Sequence, residues 1–154
     1  MKTKTRHIIL HQLEEKLKAF VAVEEVAVPT RGWIHSVRTS LNMTLSQLGK
    51  KLNITAQSVK ELEGREAMGN ITIKRLREAA AALDMKLVYG LAPKDGSVDK
   101  LITLRAHELS REIVMRASHS MKLEDQENTQ KRLTKAIKEK ALELKEEMPK
   151  YLWD

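Results

Sequence analysis

Most apolar positions along this chain fall at the three- and four-residue spacings of a helix, with polar residues between them. Leu10, Leu13, Leu17 and Phe20 recur at 3, 4, 3 spacing, interleaved with Glu14, Glu15, Lys16 and Lys18. That predicts a helix from Arg6 to about Val21, packing on the body of the protein or on a second subunit. Val26 to Gly32 interrupts the pattern, because Pro29 biases Val28 toward extended geometry, and the stretch reads as a linker. A second helix, Gly32 to Leu41, is expected to be capped by Thr30 and to bury Trp33 or Ile34 with Val37 and Leu41. His35 and Arg38 are expected on its open side, with Asn42 as its terminator.

The next stretch, Met43 to Glu66, predicts two short helices around a tight corner. Thr44 is placed to cap the first, and Leu45, Leu48 and Leu52 form its apolar stripe. Gly49 leaves room for a close neighbour. Asn53 stands where the chain must turn, and asparagine tolerates the left-handed conformation better than any residue but glycine. Ile54 points to the core and Thr55 caps the second helix. There Val59 and Leu62 face inward, while Ala56, Gln57, Lys60 and Glu61 face out. This is the pattern of a helix-turn-helix, with Thr55 to Gly64 as the helix offered to a major groove.

A turn at Ala67 to Asn70 leads to a helix from Thr72 to Leu83, with Ile73, Leu76, Ala80 and Leu83 as its inner face. Lys74, Arg75 and Arg77 crowd its first turns, the unfavourable end of the helix dipole for cations. Charge placed against the dipole points to phosphate contact. Lys86 to Leu91 is β-rich and bounded by Gly90 and Pro93, which predicts one strand. A lone strand needs a partner, and the expected partner is the same strand of a second copy across a two-fold axis. Leu87, Val88, Tyr89 and Leu91 are thus the expected dimerisation residues. After a break at Lys94 to Ser97, a long helix from Val98 to about Met121 carries Leu101, Ile102, Leu109, Ile113 and Met121. Another, from Leu123 to before Pro149, carries Leu133, Ile137, Ala141, Leu144 and Met148, and the two are expected to form a hairpin. Tyr151 and Trp153 are expected to dock.

Charge adds a location to this outline. The chain of 154 residues carries a net charge of +7. Between Arg31 and Arg77 there are nine Lys/Arg against three Glu, whereas Lys94 to Asp154 is nearly balanced at thirteen against twelve. The excess coincides with the helix-turn-helix, where it attracts phosphate backbones. There is no cysteine, hence no disulfide and no thiolate chemistry. The apolar run Ile8 to Leu10 is too short for a signal peptide, and no segment reaches membrane-spanning length. A cytoplasmic, nucleoid-associated location in a bacterium is expected.

Catalytic templates fail on inspection. His107-Glu108 begins like a zinc-protease helix, but Arg111 stands where the second histidine would be. His7 and His11 are only half of a metal site. There is no nucleophile elbow or Walker loop, and Ser118, His119 and Ser120 point in different directions on a helix. No enzymatic activity, metal or cofactor is expected.

Met43 to Glu66 resembles the Xre/Cro-type helix-turn-helix family, with Glu63 where those proteins often close the recognition helix. The resemblance implies base reading by Ala56, Gln57, Lys60 and Glu61. Gln57 would bond adenine, Ala56 a thymine methyl and Glu61 cytosine. Arg65, Lys74 and Arg75 fall where the family approaches the DNA backbone, and Thr55 is counted with them. The family's glutamine at the start of the first motif helix is Leu45 here, which shifts that phosphate contact to Thr44, Ser46 or Arg38. Over a longer span, PTRGWIHSVRTSLNMTLSQLGKKLNITAQSVKELE, ITIKRLREAAAALDMKLVYGLAP and a terminal LWD resemble the family called mobile mystery protein A. That likeness implies a partner role toward a Fic-domain protein encoded alongside it on mobile elements, with autoregulation of a toxin–antitoxin-like operon. The inhibitory motif of some Fic antitoxins, Ser/Thr four residues before Glu-Gly or Glu-Asn, is absent: Val59 precedes Glu63-Gly64 and Leu123 precedes Glu127-Asn128.

The expected fold is mainly α: a lambda-repressor-like helix-turn-helix domain with one short β-strand and a C-terminal helical hairpin. Its expected divisions are an N-terminal helix and linker (1–28), the DNA-binding domain (29–93) and the helical extension (94–154). The expected function is a dimeric, sequence-specific repressor binding double-stranded DNA. The alternative is an antitoxin-type interaction module that neutralises a Fic-domain partner.

Overall fold

The computed structural model describes residues 3–118 and 126–154. They form seven α-helices: α1 Thr3–Val23, α2 Trp33–Ser40, α3 Leu45–Leu52, α4 Ala56–Ala67, α5 Ile73–Ala82, α6 Val98–Ser118 and α7 Gln126–Glu147. A short 3-10 turn, Lys150–Trp153, follows α7. Met121 and Leu123, expected at the end of one helix and the start of the next, lie outside the described residues, as do His119 and Ser120. No helix among the described residues is long and apolar enough to cross a membrane.

In space the chain divides into two compact units: Glu25–Gly90, here the central unit, and Met1–Glu24 with Leu91–Asp154, the terminal unit. The three divisions expected from sequence become two because the N-terminal helix joins the tail. The physical reason is visible at the end of α7, whose last carbonyls have no partner within the helix. The Arg6 guanidinium donates to the carbonyls of Glu147 and Met148 at 3.0 and 2.9 Å, and the His7 ring lies 3.1 Å from the Glu146 carbonyl. Leu10 packs beside them on a core of Ile102, Ala106, Leu144, Met148 and Leu152. α6 and α7 pack against each other along this seam. Leu152 is the residue of the terminal turn that docks, while Tyr151 and Trp153 are about half exposed. Arg105 holds the turn in place through Nε to the Leu152 carbonyl at 2.7 Å and a second nitrogen to that of Asp154 at 2.5 Å.

The central unit closes on Ile34, Leu48, Val59, Leu62, Ala79 and Leu83. Its helices are 8 to 12 residues long, too short to persist alone, so packing and caps hold them. Of the alternatives on α2, Ile34 is buried and Trp33 exposed; Leu41, expected inside, is exposed. On α5 the inner face is Leu76, Ala79 and Leu83, with Ile73 turned to solvent. Thr30 does not cap α2. Gly32 occupies the cap position at φ 85°, and the Glu66 carboxylate takes the Trp33 and Ile34 N–H groups at 2.8 and 2.9 Å. A Cβ at Gly32 would meet that carboxylate at 2.7 Å.

The expected strand is a correction. Residues 85–90 have no regular secondary structure, and there is no strand among the described residues. A strand is defined by its ladder partner, and a single copy of this chain offers none. The unit boundary also separates Leu87, Val88 and Tyr89 from Leu91.

Candidate nucleic-acid interface

Three helices of the central unit begin with threonine, each accepting the N–H three residues on: Thr44 from Gln47, Thr55 from Ser58 and Thr72 from Arg75, at 3.1, 3.1 and 3.2 Å. At the first, the Gln47 side chain returns the bond to the Thr44 N–H at 2.8 Å, completing a capping box. Between α3 and α4, Asn53 adopts the left-handed conformation, φ 57° and ψ 43°. Gly49 allows the corner to close: a Cβ there would lie 2.7 Å from the Ile54 carbonyl oxygen. These local features set the angle at which α4 leaves the corner.

α4 then divides cleanly into two faces. Val59, Leu62 and Glu63 are buried, at the i, i+3, i+4 positions of one stripe. Gln57, Lys60 and Glu61 are exposed on the other side, with Ala56 half-buried beside them. The helix runs three residues past Gly64, to Ala67. A cleft of about 250 Å³ beside it is lined in part by Ser58, Glu61, Arg65, Thr72 and Arg75. Glu61, Arg65 and Arg75 therefore meet at one place, although they come from two helices. Lys74 is exposed on the first turn of α5, and Thr44 and Ser46 are exposed at the start of α3. Arg75 also pairs with Glu78 at 3.0 Å in solvent. Leu45 lies partly buried against the core, consistent with its apolar character.

Arg38 is the correction within this set. It is only 8% exposed and points inward, not to the open side. Its Nε lies 2.5 Å and a second nitrogen 3.1 Å from the two Glu63 oxygens, while the third nitrogen donates to the Met43 carbonyl at 2.8 Å. A guanidinium bound in this way has no face left for a phosphate. His35, also expected outward, sits 3.0 Å from Glu63 through Nδ1, with an Arg38 nitrogen 3.3 Å from that same atom. A protonated Nδ1 donates to Glu63, and an unprotonated one accepts from Arg38. Burial pushes the Glu63 pKa up, but hydrogen bonds from Arg38 and His35 and their charges outweigh it and hold the carboxyl below its ordinary value.

Two contributors were missed from sequence. Gln47 had a signal, the Thr-x-x-Gln spacing of a capping box. Glu66 had none, since its partners lie 33 and 32 residues away. Among the described residues no group of three or more His, Asp or Glu could hold a metal ion. Compared with known proteins, the chain matches no family model, no curated protein and no solved structure.

Proposed function

We propose that the chain is a sequence-specific DNA-binding transcription regulator whose reading helix is α4. The observation that carries this reading is the two-faced helix: Gln57, Lys60 and Glu61 project to solvent while Val59, Leu62 and Glu63 anchor it. Gln57 suits an adenine edge and Glu61 a cytosine amino group, with Ala56 beside a thymine methyl. Arg65, Lys74 and Arg75 supply backbone contacts, helped by the hydroxyls of Thr44, Ser46 and Thr55. Arg38 has no part in this; it supports α4 from behind through Glu63. The resemblance to the Xre/Cro and mobile mystery protein A families makes the gene's own upstream DNA the first site to try.

The regulator acts as a dimer in this reading, with Leu87, Val88, Tyr89 and Leu91 joining two copies. Val88, Tyr89 and Leu91 are 71, 63 and 80% exposed, and such a run of bare apolar side chains favours a covering partner. Two copies joined there would set the spacing of two α4 helices on a palindrome. Val88→Asp is expected to leave a monomer by analytical ultracentrifugation and to convert two-site binding into weak half-site binding.

Fluorescence anisotropy on the upstream DNA and on random duplex, across a salt series, tests the reading itself. Gln57→Ala should weaken the specific complex by roughly 1–3 kcal/mol and leave random duplex unchanged. Equal losses on both would remove Gln57 from base reading, and absence of any preferred DNA would remove the function.

A further inference from the structure

In the terminal unit, α6 and α7 leave a groove between them that the DNA reading does not use. Ile137, Ala141 and Leu142 of α7 supply apolar surface to it, His107 and Arg111 of α6 and Lys138 of α7 line it with them, and it encloses about 550 Å³. Leu142 is 58% exposed. The lining extends from Thr103 to Arg111 on α6 and from Thr134 to Lys145 on α7. At about 1.5 Å per residue it runs roughly 12 to 16 Å, the length of two to three turns of a further helix.

The charge is as informative as the shape. No carboxylate lines the groove, although Lys94 to Asp154 holds twelve Asp/Glu against thirteen Lys/Arg. Lys145, at one end of the lining, is held by Asp99 at 2.9 Å. Cations are therefore concentrated around an apolar surface in a segment that is otherwise balanced.

We propose that this groove docks an acidic amphipathic helix of another protein, its apolar ridge against Ile137 and Leu142 and its carboxylates toward Arg111 and Lys138. A second copy of this chain fits poorly. An isologous contact would bring two copies of the same cationic, carboxylate-free lining together. Duplex DNA would answer the cations and leave the apolar surface without a match. The inference does not depend on α4 reading DNA, since the two surfaces belong to different units.

The test uses the full chain and a fluorescein-labelled, alanine-rich peptide of about 16 residues. The peptide carries leucines at i, i+4 and i+7 with glutamates flanking them; a control has lysine in place of every glutamate. Anisotropy should show saturable binding of the glutamate peptide and roughly tenfold or more weaker binding of the control. Leu142→Glu should abolish binding. The double variant Arg111→Ala/Lys138→Ala should weaken it roughly tenfold and flatten its salt dependence. Leu142 and both cations are not buried, so circular dichroism should be unchanged; if Leu142→Glu misfolds, the double variant decides. Equal binding of the two peptides, no saturation at about 100 µM, or unchanged binding by the deciding variant overturns the proposal. Self-association that Leu142→Glu removes, or displacement of the peptide by random duplex DNA, overturns it too, assigning the groove to a second copy or to nucleic acid.

Discussion

The two units solve the same problem, finishing helices, with a different balance of local and distant contacts. In the central unit, three short helices are capped by threonines three positions away, α2 is capped by Glu66 from across the unit, and a left-handed asparagine sets the corner. In the terminal unit, helices of 21 and 22 residues are secured by arginines reaching across the fold to chain-end carbonyls. Long helices need less local help, because each added residue extends an existing ladder; α6 has one local cap, Ser97 accepting the Lys100 N–H at 3.1 Å. What they need is a fixed position, and Arg6 and Arg105 provide it. Among the described residues, only the central unit couples its helices through a buried ion pair, Arg38 with Glu63. The difference teaches where each unit is vulnerable: one at a single interior carboxylate, the other at its polar clasps.

The chain's two tryptophans fall one in each unit, Trp33 and Trp153. Variants retaining one or the other therefore report the two unfolding transitions separately. Glu63→Ala is the largest expected perturbation. It leaves Arg38 buried without its counter-charge, costing about 3–5 kcal/mol, and should shift the Trp33 transition in urea while the Trp153 transition stays in place. A common shift of both would mean that the units unfold as one.

The same residue predicts an asymmetry with pH. Glu63's folded-state pKa is lowered, so its contribution is fully present above the ordinary glutamate range and is lost as pH falls through its lower folded value. Acid titration should destabilise the Trp33 transition over that window, and Glu63→Ala should remove this component.

Arg105→Ala comes next. Two charge-assisted bonds to carbonyls disappear, which should cost about 2 kcal/mol and move the Trp153 transition alone. The smallest effect has the opposite sign. Gly64 lies within α4, and a Cβ there meets nothing within 4 Å. Gly64→Ala should raise the Trp33 midpoint by an amount equivalent to about 0.5–1 kcal/mol. A destabilised Gly64→Ala would show that the helix end is under a constraint other than space.

These contrasts explain what could be read in advance. Thr44, Asn53, Thr55 and Thr72 were legible because a cap acts within three or four residues. The outward set Gln57, Lys60 and Glu61 followed from the helical period. The inward turn of Arg38 is not legible locally, because the partner that draws it inward lies 25 residues away. The joining of α1 to the tail is hidden for the same reason: Glu147 lies 141 positions beyond Arg6. On α5 the run Ala79 to Ala82 gives no contrast between faces, so spacing alone favours Ile73 and Ala80 where the structure buries Ala79. The β-rich composition of residues 86–91 was legible, but composition expresses a preference and a ladder requires a second strand.

The division of α4 into two faces has an evolutionary consequence. The helix is fastened by the Thr55 cap and by Val59, Leu62, Glu63 and Glu66, and the exposed positions 57, 60 and 61 lie outside that set. On the proposed DNA-reading role, those three positions form an exchangeable cassette: a library randomised there should retain the melting behaviour of the parent while its members diverge in the DNA they prefer. On the same reading, descendants of this chain could change targets by surface substitution alone, with the interior inherited intact.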